Sequence, residues 1–187
     1  MRTETIKIYT FSELSENAKD KARESHRAYI ASDTFWSECL EEDVLNALNL
    51  VGFGVDIDLY LSHAQGDRVN LIGTYSYETG GLNKLRAYAP NHPFIPLIQE
   101  LQRIQRRNFY RIRGSIGESR WYPYDFECDY HELSEPDLYK MKEITQSLES
   151  MIYNMFRDEY EHATSDSAVE AYILSHDHEF LSCGTPH

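Results

Sequence analysis

The run from Gly54 to Tyr77, GVDIDLYLSHAQGDRVNLIGTYSY, constrains this chain more than any other stretch. Val55, Ile57, Leu59 and Leu61 alternate with Asp56, Asp58 and Tyr60, and Val69 and Leu71 continue an apolar face toward Tyr75 and Tyr77. Alternation with period two puts apolar and polar side chains on opposite faces of a strand. Two such runs joined by the loop SHAQGD, Ser62 to Asp67, predict an antiparallel hairpin, with Gly66 supplying the positive φ of the reversal. A second hairpin is predicted from Asn108 to His131. It reverses near GSIGES, and its downstream strand alternates Tyr124, Phe126, Cys128 and Tyr130 with Asp125, Glu127 and Asp129. A short strand is expected at Thr5 to Tyr9.

Helical spacing accounts for most of the rest. Ser15 is the expected N-cap of a first helix, with Ala18, Ala22 and Tyr29 near one face and Lys19, Lys21, Arg23 and Arg27 in solvent. Trp36, Leu40, Val44 and Leu48 mark a helix from Thr34 to Asn49, stopped by Gly52. A third runs from Pro96 to Arg107 after a loop of turn formers, Gly80 to Pro93. The longest is opened by the capping pair Ser134 and Asp137, and its stripe runs from Leu138 through Met141, Ile144 and Leu148 to Tyr160. The last spans Asp166 to Ser175, capped from Ser165 or Ser167. Strands paired in hairpins and helices in separate stretches define an α+β class: an antiparallel sheet built from two hairpins and packed against several helices. A chain of 187 residues without a linker reads as one domain over 1–187. No run approaches the roughly 18 apolar residues of a membrane span, and no basic-then-apolar leader opens the chain, so a cytoplasmic location without membrane contact is expected.

Catalytic motifs are sparse. SHAQGD has one glycine and no following helix, which argues against a phosphate cradle. His63 and Asp67, joined by Asp56, Asp58 or His131, have metal-ligand chemistry but no dedicated spacing, so a metal-dependent hydrolase is a minor alternative. His63, Gln65 and Asp67 stand as a possible loop site, and a simple turn is the expected role of the segment. No G-x-S-x-G elbow occurs. Cys39, Cys128 and Cys183 have no CxxC spacing; Cys39 and Cys128 fall on apolar faces, where cysteine acts as a small buried hydrophobe. No catalytic residue, metal or cofactor is assigned.

Charge gives the strongest functional lead. The net charge is −13, and residues 118–179 hold 16 acids against Arg120, Lys140, Lys142 and Arg157. Glu143, Glu149, Asp158, Glu159 and Glu161 lie on the long helix, and Asp166 and Glu170 on the next. Carboxylates along a rigid surface can imitate duplex phosphates, which carry about one charge per 1.7 Å. Arg103, Arg106, Arg107, Arg111 and Arg113, interleaved with Phe109 and Tyr110, have the opposite character. Cross-strand pairing of Arg111 and Arg113 with Asp125, Glu127 and Asp129 is expected to neutralise them, leaving no direct nucleic-acid contact.

Three separated segments, TFSELSENAKDKARE, GVDIDLYLSHAQGDRVNLIGTY and YEHATSDSAVEAYILSHDHEFLSCG, resemble a group of phage and prophage proteins. That group has an F-x-E-L-S-x-x-A-K start, an S-x-x-Q-G-D loop and a T-S-D segment before a glycine-terminated tail, and some of its members are labelled antitoxins. Ala64 and Arg68 stand where such proteins often carry an aromatic or serine and a second glycine, which weakens a shared ligand role for the loop. The resemblance implies a viral origin, action in the bacterial cytoplasm and interference with a host system. The expected function is therefore a non-enzymatic acidic protein that inhibits a nuclease, restriction enzyme or CRISPR effector by occupying its basic groove. Neutralisation of a toxin is the alternative.

Overall fold

The computed structural model describes residues 6–33, 35–61, 67–117, 125–129 and 133–187. In chain order the elements are β1 (Tyr9–Thr10), a 3-10 turn (Phe11–Glu13), α1 (Glu16–Ser32), α2 (Phe35–Leu50), β2 (Phe53–Tyr60), β3 (Arg68–Ser76), α3 (Gly81–Tyr88), α4 (Ile95–Arg107), β4 (Arg113–Gly117), β5 (Asp125–Cys128), α5 (Glu135–Ala163), α6 (Asp166–Ser175) and β6 (Glu179–Phe180). The fold is α+β, as the two periodicities predict. Two compact units divide it: residues 1–38 with 158–187, and residues 39–157.

The larger unit, residues 39–157, carries the sheet. Its order is β2-β3-β4-β5 with every neighbour antiparallel, so both predicted hairpins form and pair with each other. The first hairpin pairs Phe53 with Tyr75 and runs to Tyr60 with Arg68. Val55, Val69, Leu71 and Tyr75 are buried, so the alternation had the face right. Gly52 ends α2 at φ +95°, a left-handed stop where a Cβ would meet the Ser76 carbonyl oxygen at 1.9 Å.

Three local expectations fail. Gly114 to Gly117, the first four residues of the turn expected at GSIGES, belong to β4, and Glu118 and Ser119 lie outside the described residues. Gly80 to Pro93 is not all loop: α3 forms there because Leu82 and Leu85, three apart, bury one face of a short helix. Cys39 is exposed rather than packed as a buried hydrophobe, and Cys128 is half-buried.

The smaller unit pairs β1 with β6 and packs α1 against α6. Its core is Phe11, Leu14, Ala18, Ala22, Val169, Ile173 and Phe180. Of the strand expected at Thr5 to Tyr9, only Tyr9 is strand among the described residues, and it continues to Thr10, because that is where Phe180 and Glu179 supply pairing partners. Ser15 holds the N-cap position of α1, but its side chain makes no capping bond. The reciprocal capping box falls one turn earlier, where the Thr10 N–H donates to Glu13 Oε2 at 2.8 Å. Ser165 caps α6, accepting from the Ala168 N–H at 3.3 Å. His26 is buried on α1, whereas Tyr29 is exposed. No helix among the described residues is long and apolar enough to cross a membrane.

Candidate functional site

The seven carboxylates proposed as a recognition surface separate into distinct environments. Glu149 is no surface residue: it is 5% exposed. Its Oε1 accepts the Leu71 N–H at 3.0 Å, and its Oε2 has no hydrogen-bond partner among the described residues. Among the described residues β4 pairs with β3 only from Gly73 to Ser76, and Leu71 lies beyond that pairing. Glu149 supplies the acceptor that a neighbouring strand would otherwise give. Burial pushes its carboxyl up to about 7, and the Leu71 bond pulls the other way.

Glu143 shares Lys140 with Glu100, at 2.9 and 3.4 Å. In the smaller unit Asp166 is bound by Arg27, and Glu170 Oε1 receives Arg23 Nε at 2.6 Å. Arg23 and Arg27, expected in solvent, are thus the partners of α6, in the reversed order that antiparallel helices require. Asp158 and Glu161 are exposed and Glu159 is half-buried. At 100° per residue Glu159 lies on the far side of α5 from Glu161. A continuous face of seven free carboxylates is therefore corrected by burial and by ion pairing.

The loop candidates fare differently from one another. His63 and Gln65 lie outside the described residues. Asp67 lines a cavity of about 530 Å3 with Arg68, Gln146, Glu149 and Tyr153, which brings one loop candidate beside a buried carboxyl of the acidic set. Among the described residues no three His, Cys, Asp or Glu side chains gather as a metal-binding group.

The smaller unit contains an aromatic cleft. Tyr29, Phe35, Trp36 and Tyr172 line about 420 Å3 together with Asp33 and His176. Phe35 is 71% exposed, and the rings of Tyr29 and Tyr172 lie 6.4 Å apart. The Tyr172 and His176 rings of the cleft lie tilted with centroids 4.3 Å apart, and the His178 ring meets that of His26 at 4.6 Å. Burial, followed by the neighbouring His26 and His176, holds the His178 imidazole below its ordinary value. This unit holds 14 acidic against 6 basic residues, a net −8 of the total −13. Phe35 and Trp36 open the second helix pattern, but only the exposure of Phe35 and the partial exposure of Trp36 distinguish them from core residues, and sequence spacing does not reveal exposure.

The arginine cluster of the larger unit is not neutralised as expected. Arg107 donates to Asp137 at 2.6 Å. No ion pair among the described residues engages Arg103, Arg106, Arg111 or Arg113, all of which are exposed. Glu127 pairs across the sheet with Ser115, and Asp129 meets Arg113 through the backbone, its N–H donating to the Arg113 carbonyl at 2.9 Å. The register brings Asp129 beside Arg113, as parity suggests, yet the contact between them runs through the backbone and no side-chain ion pair forms.

Architecture and sites together define an α+β protein with recessed, chemically distinct surfaces on each unit. The chain belongs to the DUF8835 family, a domain of unknown function, whose model matches residues 36–166. That segment contains the whole larger unit. No curated protein and no solved structure matches the chain.

Proposed function

We propose that this is a phage-encoded binding protein that antagonises a basic host protein in the bacterial cytoplasm, a nuclease or another nucleic-acid-processing or defence protein, by contact rather than by chemistry. The supporting observation is the aromatic cleft of the smaller unit, set in a part of the chain with net charge −8. Aromatic anchors in a recess, surrounded by charge of one sign, suit a partner that inserts an apolar or cationic side chain from a basic surface. Asp33 at the cleft and the exposed Asp158 and Glu161 steer such a partner at long range, while Phe35 and Trp36 supply contact area. Viral origin and host interference are supported by the resemblance of the three motifs. Imitation of a whole duplex is not required, since the cleft replaces the carboxylate row as the anchor.

The test is retention of a host protein by immobilised full-length chain, compared with Phe35→Ser and Asp33→Lys variants whose melting temperatures match the parent. The proposal expects one basic protein that is held at low salt, released by salt and lost from both variants. Retention that ignores Phe35 and Asp33 would contradict it. Toxin neutralisation uses the same cleft, and the antitoxin labels in the resembling group favour it as a second reading. Relief of toxicity on co-expression with a basic toxin separates the two.

A further inference from the structure

The end of α4 raises a question that the proposed function does not answer. Helices commonly stop on a glycine in the left-handed region. Here the residues in that region are Phe109 and Tyr110, at φ +54° and +59°. Two consecutive aromatic residues in this conformation are costly, because each Cβ crowds the following carbonyl. Buried Gln105 holds them there. Its Nε2 donates to the Tyr75 hydroxyl at 2.9 Å and to the Ile112 carbonyl at 2.8 Å, and its Oε1 accepts the Ile112 N–H at 3.3 Å. Its carbonyl accepts the Tyr110 N–H at 2.7 Å.

The strain has a visible product. Phe109 is 74% exposed, and Tyr110 packs at a tilt against Tyr77 with centroids 4.6 Å apart. Two cavities meet at this tyrosine pair. One, of about 410 Å3, is lined by Arg86, Arg103 and Arg106; the other, of about 510 Å3, by Arg111 and Arg113. Five arginines therefore line the cavities around the two packed rings, against the single carboxylate of Asp129 among the lining residues.

We propose that this surface binds single-stranded nucleic acid, with the arginines taking phosphates and Tyr77, Tyr110 and Phe109 stacking on bases. Exposed aromatic rings among arginines suit unpaired bases, whose faces are free, and not a duplex, whose faces are already stacked. The inference is independent of the aromatic cleft and its partner, since every residue it uses lies in the larger unit.

The experiment is fluorescence anisotropy of the full-length chain with a labelled 12-nucleotide oligo-dT, oligo-U of the same length, a 12-base-pair duplex, and heparin as a plain polyanion. The single strands bind more tightly than the duplex or heparin, and log K falls with log salt at a slope between about −2 and −3.5, for three to five phosphate contacts. Arg103→Glu with Arg106→Glu abolishes binding. Tyr110→Gly separates display from folding: glycine relieves the left-handed strain, so the melting temperature holds or rises, while affinity falls about tenfold through the lost stacking. Equal affinity for heparin or duplex, no binding at low salt, or unchanged affinity in Tyr110→Gly would overturn the assignment.

Discussion

The two units use the same residue type in opposite ways. In the smaller one, Arg23 and Arg27 are taken up by Glu170 and Asp166 of α6, and Arg23 also lies over the Phe11 ring at 5.7 Å. In the larger one, Arg86, Arg103, Arg106, Arg111 and Arg113 have no ion pair among the described residues and face two cavities. The larger unit buries a carboxyl at Glu149, and the smaller gathers His26, His176 and His178 beside Tyr172. Net charge summed along a chain therefore says little about which charges are available to a partner. What decides is whether the fold delivers a counter-ion.

The largest expected effect concerns the device that displays Tyr110. Gln105→Leu removes three side-chain hydrogen bonds and strands the Tyr75 hydroxyl and both polar groups of Ile112. It should destabilise the chain by about 3 kcal/mol or more in chemical denaturation, because each orphaned buried group carries its own desolvation penalty. A loss below about 1 kcal/mol would mean that the turn is not held by Gln105.

Next comes Glu149. Its folded value, about 7, lies above its ordinary one, so between these values the folded state binds a proton that the unfolded state has released. Stability from this site is therefore present at acid pH and lost as pH rises through 7. Glu149→Gln should leave stability near pH 4.5 unchanged and raise it by on the order of 2 kcal/mol at pH 8. A uniform change across that range would remove the titration from the account.

The arginines sharpen the contrast at smaller scale. Arg23→Ala should cost about 1 kcal/mol, through a half-screened ion pair and the loss of its stem packing. Arg103→Ala, exposed and unpaired, should stay within about 0.5 kcal/mol. Similar losses at both sites would contradict the division between engaged and available arginines.

The smallest effect is at His178. Its folded value lies below 6.5, so the unfolded state takes up a proton first and stability falls as pH drops below 6.5, the reverse of Glu149. His178→Phe should flatten that acid limb by about a few tenths of a kcal/mol, given solvent screening of a partly exposed group. An unchanged acid limb would assign the sensitivity elsewhere.

The hairpins and long helices were legible because period two and period 3.6 are local signals that survive without tertiary knowledge. The short helix α3 was not, since its glycine-rich start and flanking prolines imitate a loop. Glu149 could have been placed: it follows Thr145 by four residues and precedes Ile152 by three, on the buried stripe of α5. Its charge had argued for solvent, and the stripe was the better guide. The pairs of α1 with α6 join residues 139 and 147 positions apart, which no local pattern encodes. Arg111 and Arg113 misled for a related reason: strand parity fixes a face, but an ion pair also needs the two side chains to meet, and Asp129, beside Arg113 in the register, bonds it only through the backbone.

The most direct measurement follows the guanidinium Nε–H resonances by NMR while a 12-nucleotide single strand is added to the full chain. Arg103, Arg106, Arg111 and Arg113 should shift and saturate together, with Arg23 and Arg27 unmoved. Equal movement at Arg23 and Arg27, or stillness at all six, would contradict the claim that this fold leaves one set of arginines free to bind and locks the other away.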